Sequence, residues 1–192
     1  MLKKFEVKGF KNFKNNITLD FSDVRDYKFN CQFVSNNILS KIIIYGKNTV
    51  GKTNLGLAVF DIVSHLTAKH VTPHLYDYYI NADLIDGTAN FVYEFQFGND
   101  LIYYKYEKDS KQQLLYEELK LNGTLIFNYD DVSKSGDVEK LNEIAPTRNW
   151  AYNDVDSILK YVINNTVLEK THPLTKMMEF ITNMLWFRSL DD

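Results

Sequence analysis

The pattern of apolar and polar residues changes its period several times along this chain. Near the N-terminus, apolar and polar positions alternate over residues 2–10 and again over residues 17–21. Alternation is typical of a strand with one buried face, and the polar residues 11–16 between the two runs favour a short loop. We therefore predict two antiparallel strands, the first of them an edge-type strand with one wet face.

A second alternating region covers residues 89–130. Aromatic residues occupy every second position from Phe91 to Phe97, and residues 98–100 (Gly-Asn-Asp) then form a turn signal. Residues 122–123 (Asn-Gly), the strongest two-residue hairpin signal, separate a second pair of strand-like runs. The region is predicted to be an antiparallel meander of four strands. Its aromatic rings can be interpreted as a base-stacking platform, but alternating aromatic residues are more typical of the packed face of a sheet.

A strand-like run precedes a helical stripe between these two regions. Residues 42–45 (Ile-Ile-Ile-Tyr) form a β-branched and aromatic run, which is typical of a strand buried on both faces. From Leu55 to Leu66 the apolar residues recur with the spacing of one helix face. The sequence therefore predicts a buried strand, a loop and an amphipathic helix, in that order.

Three further helices are predicted near the C-terminus. A short helix lies near residues 138–144 and is closed by Pro146. Asn153 or Asp154 is suited to cap a second helix. A third has Pro173 in its first turn, where proline is favoured.

The loop between the predicted strand and helix carries a phosphate-binding motif. Residues 46–53 read Gly-Lys-Asn-Thr-Val-Gly-Lys-Thr and fit G-x-x-x-x-G-K-[ST], for which chance gives roughly 0.003 to 0.004 matches in a chain of this composition. Gly46 and Gly51 allow successive backbone N–H groups to face one anion at the positive end of the helix. Lys52 is predicted to reach the β- and γ-phosphates of ATP and the Thr53 hydroxyl to bind Mg²⁺. The alternative, a strand-to-helix turn without a ligand, explains the motif and its context less well.

Composition narrows the class of protein. The chain has 192 residues, 45% of them hydrophobic, and a net charge of −3, so one domain without a global basic field is expected. It has no apolar leader and no run of about 18 apolar residues, which predicts a cytoplasmic protein without a membrane segment. His65, His70 and His74 are interpreted as solvent-facing residues at a helix end, because their spacing does not suit a shared metal ion.

A complete ATPase with this motif also needs an acidic residue at the end of a second apolar strand. Residues 125–131 and 185–192 are the nearest candidates, but Asn128 interrupts the first run and Arg188 the second. We therefore assign no catalytic residue. One phosphate-loop strand and a set of hairpins do not make a closed parallel sheet, so further strands should come from elsewhere.

Three segments carry a family resemblance. Residues 7–13 (Val-Lys-Gly-Phe-Lys-Asn-Phe), 17–21 (Ile-Thr-Leu-Asp-Phe) and 42–55 together resemble the N-terminal lobe of ABC-type ATPases. The branch is that of structural-maintenance-of-chromosomes (SMC) proteins, RecF and the overcoming-lysogenization-defect (OLD) family. The meander is similar to that of bacterial phage-defence and abortive-infection ATPases.

This resemblance implies an α/β P-loop NTPase fold with an antiparallel meander, C-terminal helices and a sheet left incomplete in this chain. Residues 1–130 would form the ATP-binding lobe, with the P-loop at 46–53 and the meander at 89–130, and residues 131–192 a helical segment leading to a missing C-terminal lobe. Thr53 would bind Mg²⁺. The positions that the resemblance assigns to ATP are Gly46, Lys47, Asn48, Thr49, Val50, Gly51, Lys52, Thr53 and Asn54, together with Lys11, which matches a basic position near the nucleotide.

The implied function is that of an ATP-binding half-site in anti-phage defence or DNA repair. ATP would be sandwiched with a C-terminal lobe or a second subunit, and binding and dimerisation would be coupled to an effector such as a nuclease, with nucleic acid reached through the complex. Hydrolysis is expected only when the site is completed. Two alternatives stay open: a small single-domain P-loop kinase, disfavoured by the meander and by only three arginines, and a non-catalytic nucleotide-binding interaction protein.

Overall fold

The computed structural model describes residues 1–25, 31–67, 69, 77–85, 87–146 and 155–185. Within these residues the fold is mixed α/β, with one six-stranded antiparallel sheet, a small two-stranded ribbon and helices. The strands of the large sheet are β1 (Leu2–Lys8), β2 (Ile17–Asp20), β5 (Ala89–Phe97), β6 (Asp100–Lys108), β7 (Leu114–Leu121) and β8 (Thr124–Asp130). The other elements are a 3₁₀ turn (Cys31–Phe33), β3 (Val34–Ser35), β4 (Ile38–Leu39), α1 (Lys52–Leu66), α2 (Leu141–Ile144), α3 (Ile158–Asn165) and α4 (Pro173–Thr182).

The order of strands in the large sheet is β2-β1-β5-β6-β7-β8. The N-terminal pair and the four-stranded meander are both confirmed. The prediction that β1 is an edge strand is wrong, because β1 pairs with β2 on one side and with β5 on the other. This second pairing joins segments that are more than 80 residues apart, and an alternating pattern contains no information about it.

One face of the sheet is the packed face. Phe91, Tyr93 and Phe95 are each at most 1% exposed, so the aromatic rings of β5 form core and the interpretation as a base-stacking platform is set aside. α1, α3 and α4 lie on this face: Tyr93 Oη donates to the carbonyl of Ala58 in α1 at 2.9 Å, and the rings of Phe95 and Phe180 in α4 meet at 5.8 Å. Burial of each such large apolar side chain contributes about 1.5–3 kcal/mol, which holds helices and sheet together.

The helix predictions hold in part. α4 starts at Pro173 after His172, whose Nδ1 accepts from the backbone N–H of Leu174 at 3.2 Å. α3 starts after Ser157, while the predicted caps Asn153 and Asp154 lie outside the described residues. The helix predicted near 138–144 is only one turn long. In the described part of the chain, no helix combines the length and apolar character needed to cross a bilayer.

A buried ion pair ties α1 to the sheet. The Asp61 carboxylate, 1% exposed, accepts from Lys108 Nζ at 2.7 Å. It also accepts from the hydroxyls of Tyr79 at 2.8 Å and Tyr106 at 2.7 Å. A buried charge is tolerated only when it is paired and hydrogen-bonded, and Asp61 meets both conditions.

A second buried carboxylate belongs to Glu117 in β7 and holds the start of α3. It accepts from Tyr104 Oη at 2.7 Å and Ser157 Oγ at 2.9 Å. It also accepts from the backbone N–H groups of Ile158 and Leu159 at 2.8 and 3.1 Å, two donors that a helix start leaves unpaired. Burial raises the pKa of Glu117 in spite of these four hydrogen bonds. Glu117 therefore caps α3 from the sheet.

His65, at the end of α1, does not face solvent as predicted. Its ring is partly buried, stacks on Tyr106 at 4.2 Å and places Nε2 2.8 Å from Tyr104 Oη. His70 and His74 lie outside the described residues. Burial, with the positive charges of Lys108 and Lys160 as further causes, lowers the pKa of His65 well below its ordinary value of 6.5.

The state of His65 makes stability depend on pH. Below pH 6.5 the unfolded chain gains a proton at this position that the folded protein does not, so the stability present above pH 6.5 is lost as pH falls toward the lowered folded pKa. We expect stability to fall between pH 7.5 and 5.5, by at most about 1.4 kcal/mol from this one group, as measured by urea unfolding. In His65→Phe, which keeps an aromatic ring against Tyr106, this part of the pH dependence should disappear. An unchanged pH dependence in the variant would assign it to another group.

Candidate functional site

The glycine-rich loop, residues 46–53, leads into the first turn of α1. Thr49 and Gly51 both have left-handed backbones, with φ of 70° and 100°, and Gly51 is the N-cap of α1. No side chain caps this helix start, and its first turn has no acidic residue. The free N–H groups and the positive end of the helix dipole therefore face the loop without a protein anion to neutralise them. Such a helix start is suited to bind a phosphate.

Lys52 folds back over the loop. Its Nζ donates to the carbonyls of Gly46 at 2.8 Å and Lys47 at 2.7 Å. Both contacts are exposed, so an anionic ligand can compete for this ammonium group. A cleft of about 380 Å³ lies at the same place, and the residues that line it are Asn48, Thr49, Gly51, Lys52, Thr53 and Asn54.

Most residues assigned to ATP by the sequence lie together. Six of them line the cleft, and Gly46 and Lys47 contact Lys52 through their carbonyls. Val50 does not line the cleft, and its side chain is exposed. Lys11 does not line the cleft: its Nζ donates to the carbonyl of Asp77 at 2.7 Å, and burial lowers its pKa.

Asn12 is a neighbour of the loop that sequence reasoning missed. Its Nδ2 donates to the carbonyl of Val50 at 3.4 Å, and its Oδ1 accepts from Asn54 Nδ2 at 2.8 Å. A Cβ atom added at Gly51 would lie 2.2 Å from Asn12 Nδ2. The signals in the sequence are its position within residues 7–13, which carry the family resemblance, and its place between the aromatic residues Phe10 and Phe13.

The prediction that residues 42–45 form a buried strand is wrong. These residues form no strand, and none of them is buried; Ile43 is 88% and Tyr45 91% exposed. A strand buried on both faces needs neighbours on each side, and within the described ranges the sheet pairs its strands elsewhere. The apolar run that precedes the glycine-rich loop is therefore uncovered.

The two acidic candidates give no catalytic residue. Residues 125–131 overlap the edge strand β8, as the meander interpretation requires. At its end Asp130 accepts from the backbone N–H groups of Val132 and Ser133 at 2.9 and 2.8 Å, which is a turn-capping role. Of residues 185–192, only Leu185 belongs to the described part of the chain.

A larger cavity, of about 590 Å³, lies near His65 and Ser157. Its charged lining residues are Asp131, Lys134, Asp156 and Lys160. These carry both signs, and Lys134 is paired with Asp131. The glycine-rich loop offers a convergent set of donors for an anion, and the larger cavity does not.

Comparisons with known proteins give no family assignment. No protein-family model matches this chain, and no curated protein matches it either. The chemistry of the glycine-rich loop and its surroundings is therefore the basis of the functional proposal.

Proposed function

We propose that this chain is the ATP-binding N-terminal half of an ABC-type ATPase of the SMC, RecF and OLD branch. The observation that carries the proposal is the uncapped start of α1, with Lys52 folded over the carbonyls of a loop that fits the P-loop motif. A loop that served only as a turn would not need an ammonium group held over a helix start that is free of acidic residues.

The residues present fit a nucleoside triphosphate with Mg²⁺. The backbone N–H groups of the glycine-rich loop and of the first turn of α1 hold phosphate oxygens. Lys52 would give up its two carbonyl contacts to bind the β- and γ-phosphates, and the exposed Thr53 hydroxyl would be a ligand for Mg²⁺. Mg²⁺ neutralises phosphate charge when it is bound.

The exposed run at residues 42–45 supports the half-site. A C-terminal lobe or a second subunit supplies strands that pair with this run. It also supplies the catalytic acidic residues, for which the described part of this chain offers no candidate. ATP binding then couples dimerisation in the cytoplasm to an effector such as a nuclease, in anti-phage defence or DNA repair, and nucleic acid is reached through the complex.

The two alternatives make different demands. A single-domain kinase folds its phosphate-loop strand into its own sheet, and the exposure of Ile43 and Tyr45 argues against that. A non-catalytic interaction protein binds ATP equally well but stays inactive when the completing lobe is added. Turnover in the completed assembly separates this alternative from the proposal.

The test is binding of ATP and Mg²⁺ to the wild type and to Lys52→Ala, measured by titration calorimetry. Loss of two charge-assisted contacts to phosphate should weaken binding about 100-fold. Lys69→Ala removes the same charge beyond the far end of α1, where the side chain is exposed, and should bind as the wild type does.

Two results would contradict the proposal. Equal affinity in Lys52→Ala and the wild type would remove the loop from the binding site. Steady turnover of ATP by the isolated chain would reject the half-site and favour a kinase or a complete ATPase.

A further inference from the structure

We propose that Asn12 is a positioning residue that fixes the junction between the glycine-rich loop and α1 in its ligand-binding shape. The inference rests on the proposed ATP site, and it adds a residue outside the motif. Asn12 acts on the site through Val50, Gly51 and Asn54 and is not assigned a contact with the nucleotide.

The turn that carries Asn12 is anchored in the core. Phe10 is fully buried and Phe13 is 9% exposed. The backbone N–H of Gly9 donates to the carbonyl of Phe13 at 2.7 Å, and that of Phe13 donates to the carbonyl of Phe10 at 2.8 Å. Gly9 has a positive φ of 77°, and a Cβ there would lie 2.0 Å from the carbonyl oxygen of Thr88. The turn is thus closed on itself and tied to the sheet.

A second segment braces the same turn. The backbone N–H of Lys11 donates to the carbonyl of Tyr79 at 2.9 Å, and Lys11 Nζ donates to the carbonyl of Asp77. Asn81 completes the brace: its side-chain amide donates to the carbonyl of Lys11, and its backbone N–H donates to the carbonyl of Gly9. The turn that contains Asn12 is consequently held between β1 and residues 77–81, and the exposed Asn12 side chain extends from this turn to the glycine-rich loop.

From this turn the Asn12 amide uses one polar atom on the loop and the other on α1. The donor faces the carbonyl of Val50, the last residue before Gly51, and the acceptor takes the Asn54 amide in the first turn of α1. Gly51 lies against the same amide with no room for a side chain. Asparagine is suited to this task because it carries a donor and an acceptor on one short, uncharged side chain.

Lys52 and Thr53 lie in the sequence between the two residues that Asn12 contacts. Val50 and Asn54 are the residues that Asn12 holds on either side of them. Without the Asn12 amide, the Gly51 peptide and the first N–H groups of α1 are free to sample other orientations, and phosphate binding must first restore their alignment. Asn12 therefore contributes to affinity by preorganisation.

The experiment compares Asn12→Leu, which is close in size but lacks both polar atoms, with the matched control Asn16→Ala. Asn16 lies in the same region, but its side chain bonds Glu6 and Thr18 and not the glycine-rich loop. Asn12→Leu is expected to weaken binding of ATP and Mg²⁺ about tenfold, the effect of losing one to two hydrogen bonds. Asn16→Ala should bind as the wild type does, and Lys52→Ala is measured beside both.

Amide hydrogen exchange of the ligand-free proteins gives the second readout, which does not depend on ATP. In Asn12→Leu, peptides that cover residues 48–55 should exchange faster while peptides from β5 and β6 keep their wild-type protection. Wild-type affinity in Asn12→Leu would overturn this inference and leave the proposed function intact when Lys52→Ala has lost binding. Unchanged exchange at 48–55 would also overturn it, and absence of ATP binding by the wild type would reject the proposed function itself.

Discussion

Replacement of Lys108 by methionine is expected to lower the free energy of unfolding by about 3–5 kcal/mol. The Lys108 side chain is 7% exposed and that of Asp61 1% exposed. Methionine removes the partner charge and leaves the Asp61 carboxylate in the core with the hydroxyls of Tyr79 and Tyr106 as its donors. Domains typically unfold at a cost of about 5–15 kcal/mol, so the loss is a large fraction of the total. Urea unfolding at neutral pH measures it.

The matched control is Lys105→Met, on the same strand but on the opposite face of the sheet. Lys105 pairs with Glu107 at 2.9 Å, and both side chains are partly exposed, so its loss should change stability by less than about 1 kcal/mol. A double variant, Asp61→Leu with Lys108→Met, should recover much of the loss, because no unpaired charge stays buried. Equal effects of the two single lysine variants would contradict the importance of burial.

Glu117→Ala is the second variant with a large expected effect, about 3–5 kcal/mol. Alanine removes the acceptor of four donors at once: two hydroxyls of the core and the first two N–H groups of α3. α3 has only eight residues, too few to be stable without its packing and its cap. The variant should therefore lose hydrogen-exchange protection in residues 158–165 as well as global stability in urea.

Glu107→Ala is the control for this variant. Glu107 lies on the outer face of the sheet and makes a partly exposed ion pair with Lys105, so its removal should have a small effect. If protection of residues 158–165 were equal in Glu117→Ala and the wild type, the capping role of Glu117 would be wrong.

Local patterns predicted the parts of this fold that depend on local sequence. Alternation predicted the strands of the meander, and helical spacing predicted α1, because each element must present one apolar face to the core. The pairing of β1 with β5 could not be predicted in this way, since it joins distant segments. The strand predicted at residues 42–45 failed for a related reason. Their β-branched and aromatic composition favours a strand, but a strand also needs neighbouring strands, which local sequence does not specify.

For the candidate site, too, local sequence predicted the loop itself but not the residues that contact it from distant parts of the chain. The motif predicted a phosphate-binding loop at residues 46–53, and residues 48, 49 and 51–53 of it line the cleft together with Asn54, because a loop and the helix start that follows it are a local unit. Asn12 could not be predicted as their neighbour, since it is one polar residue in a turn, 39 positions before Gly51, with no period of its own. The burial of Asp61 and Glu117 and their hydrogen-bond partners could not be predicted either, because charged residues are ordinarily expected on the surface.

The uncovered run at residues 42–45 also has a consequence for solubility. An exposed, uncharged segment rich in β-branched residues is a template on which another copy can add a strand, the first step of β-aggregation. Lys41 and Lys47 flank the run, and charged gatekeepers of this kind slow such stacking without preventing it. In the proposed half-site, a lobe that paired with residues 42–45 would also cover this segment, so copies without such a lobe are expected to aggregate more readily.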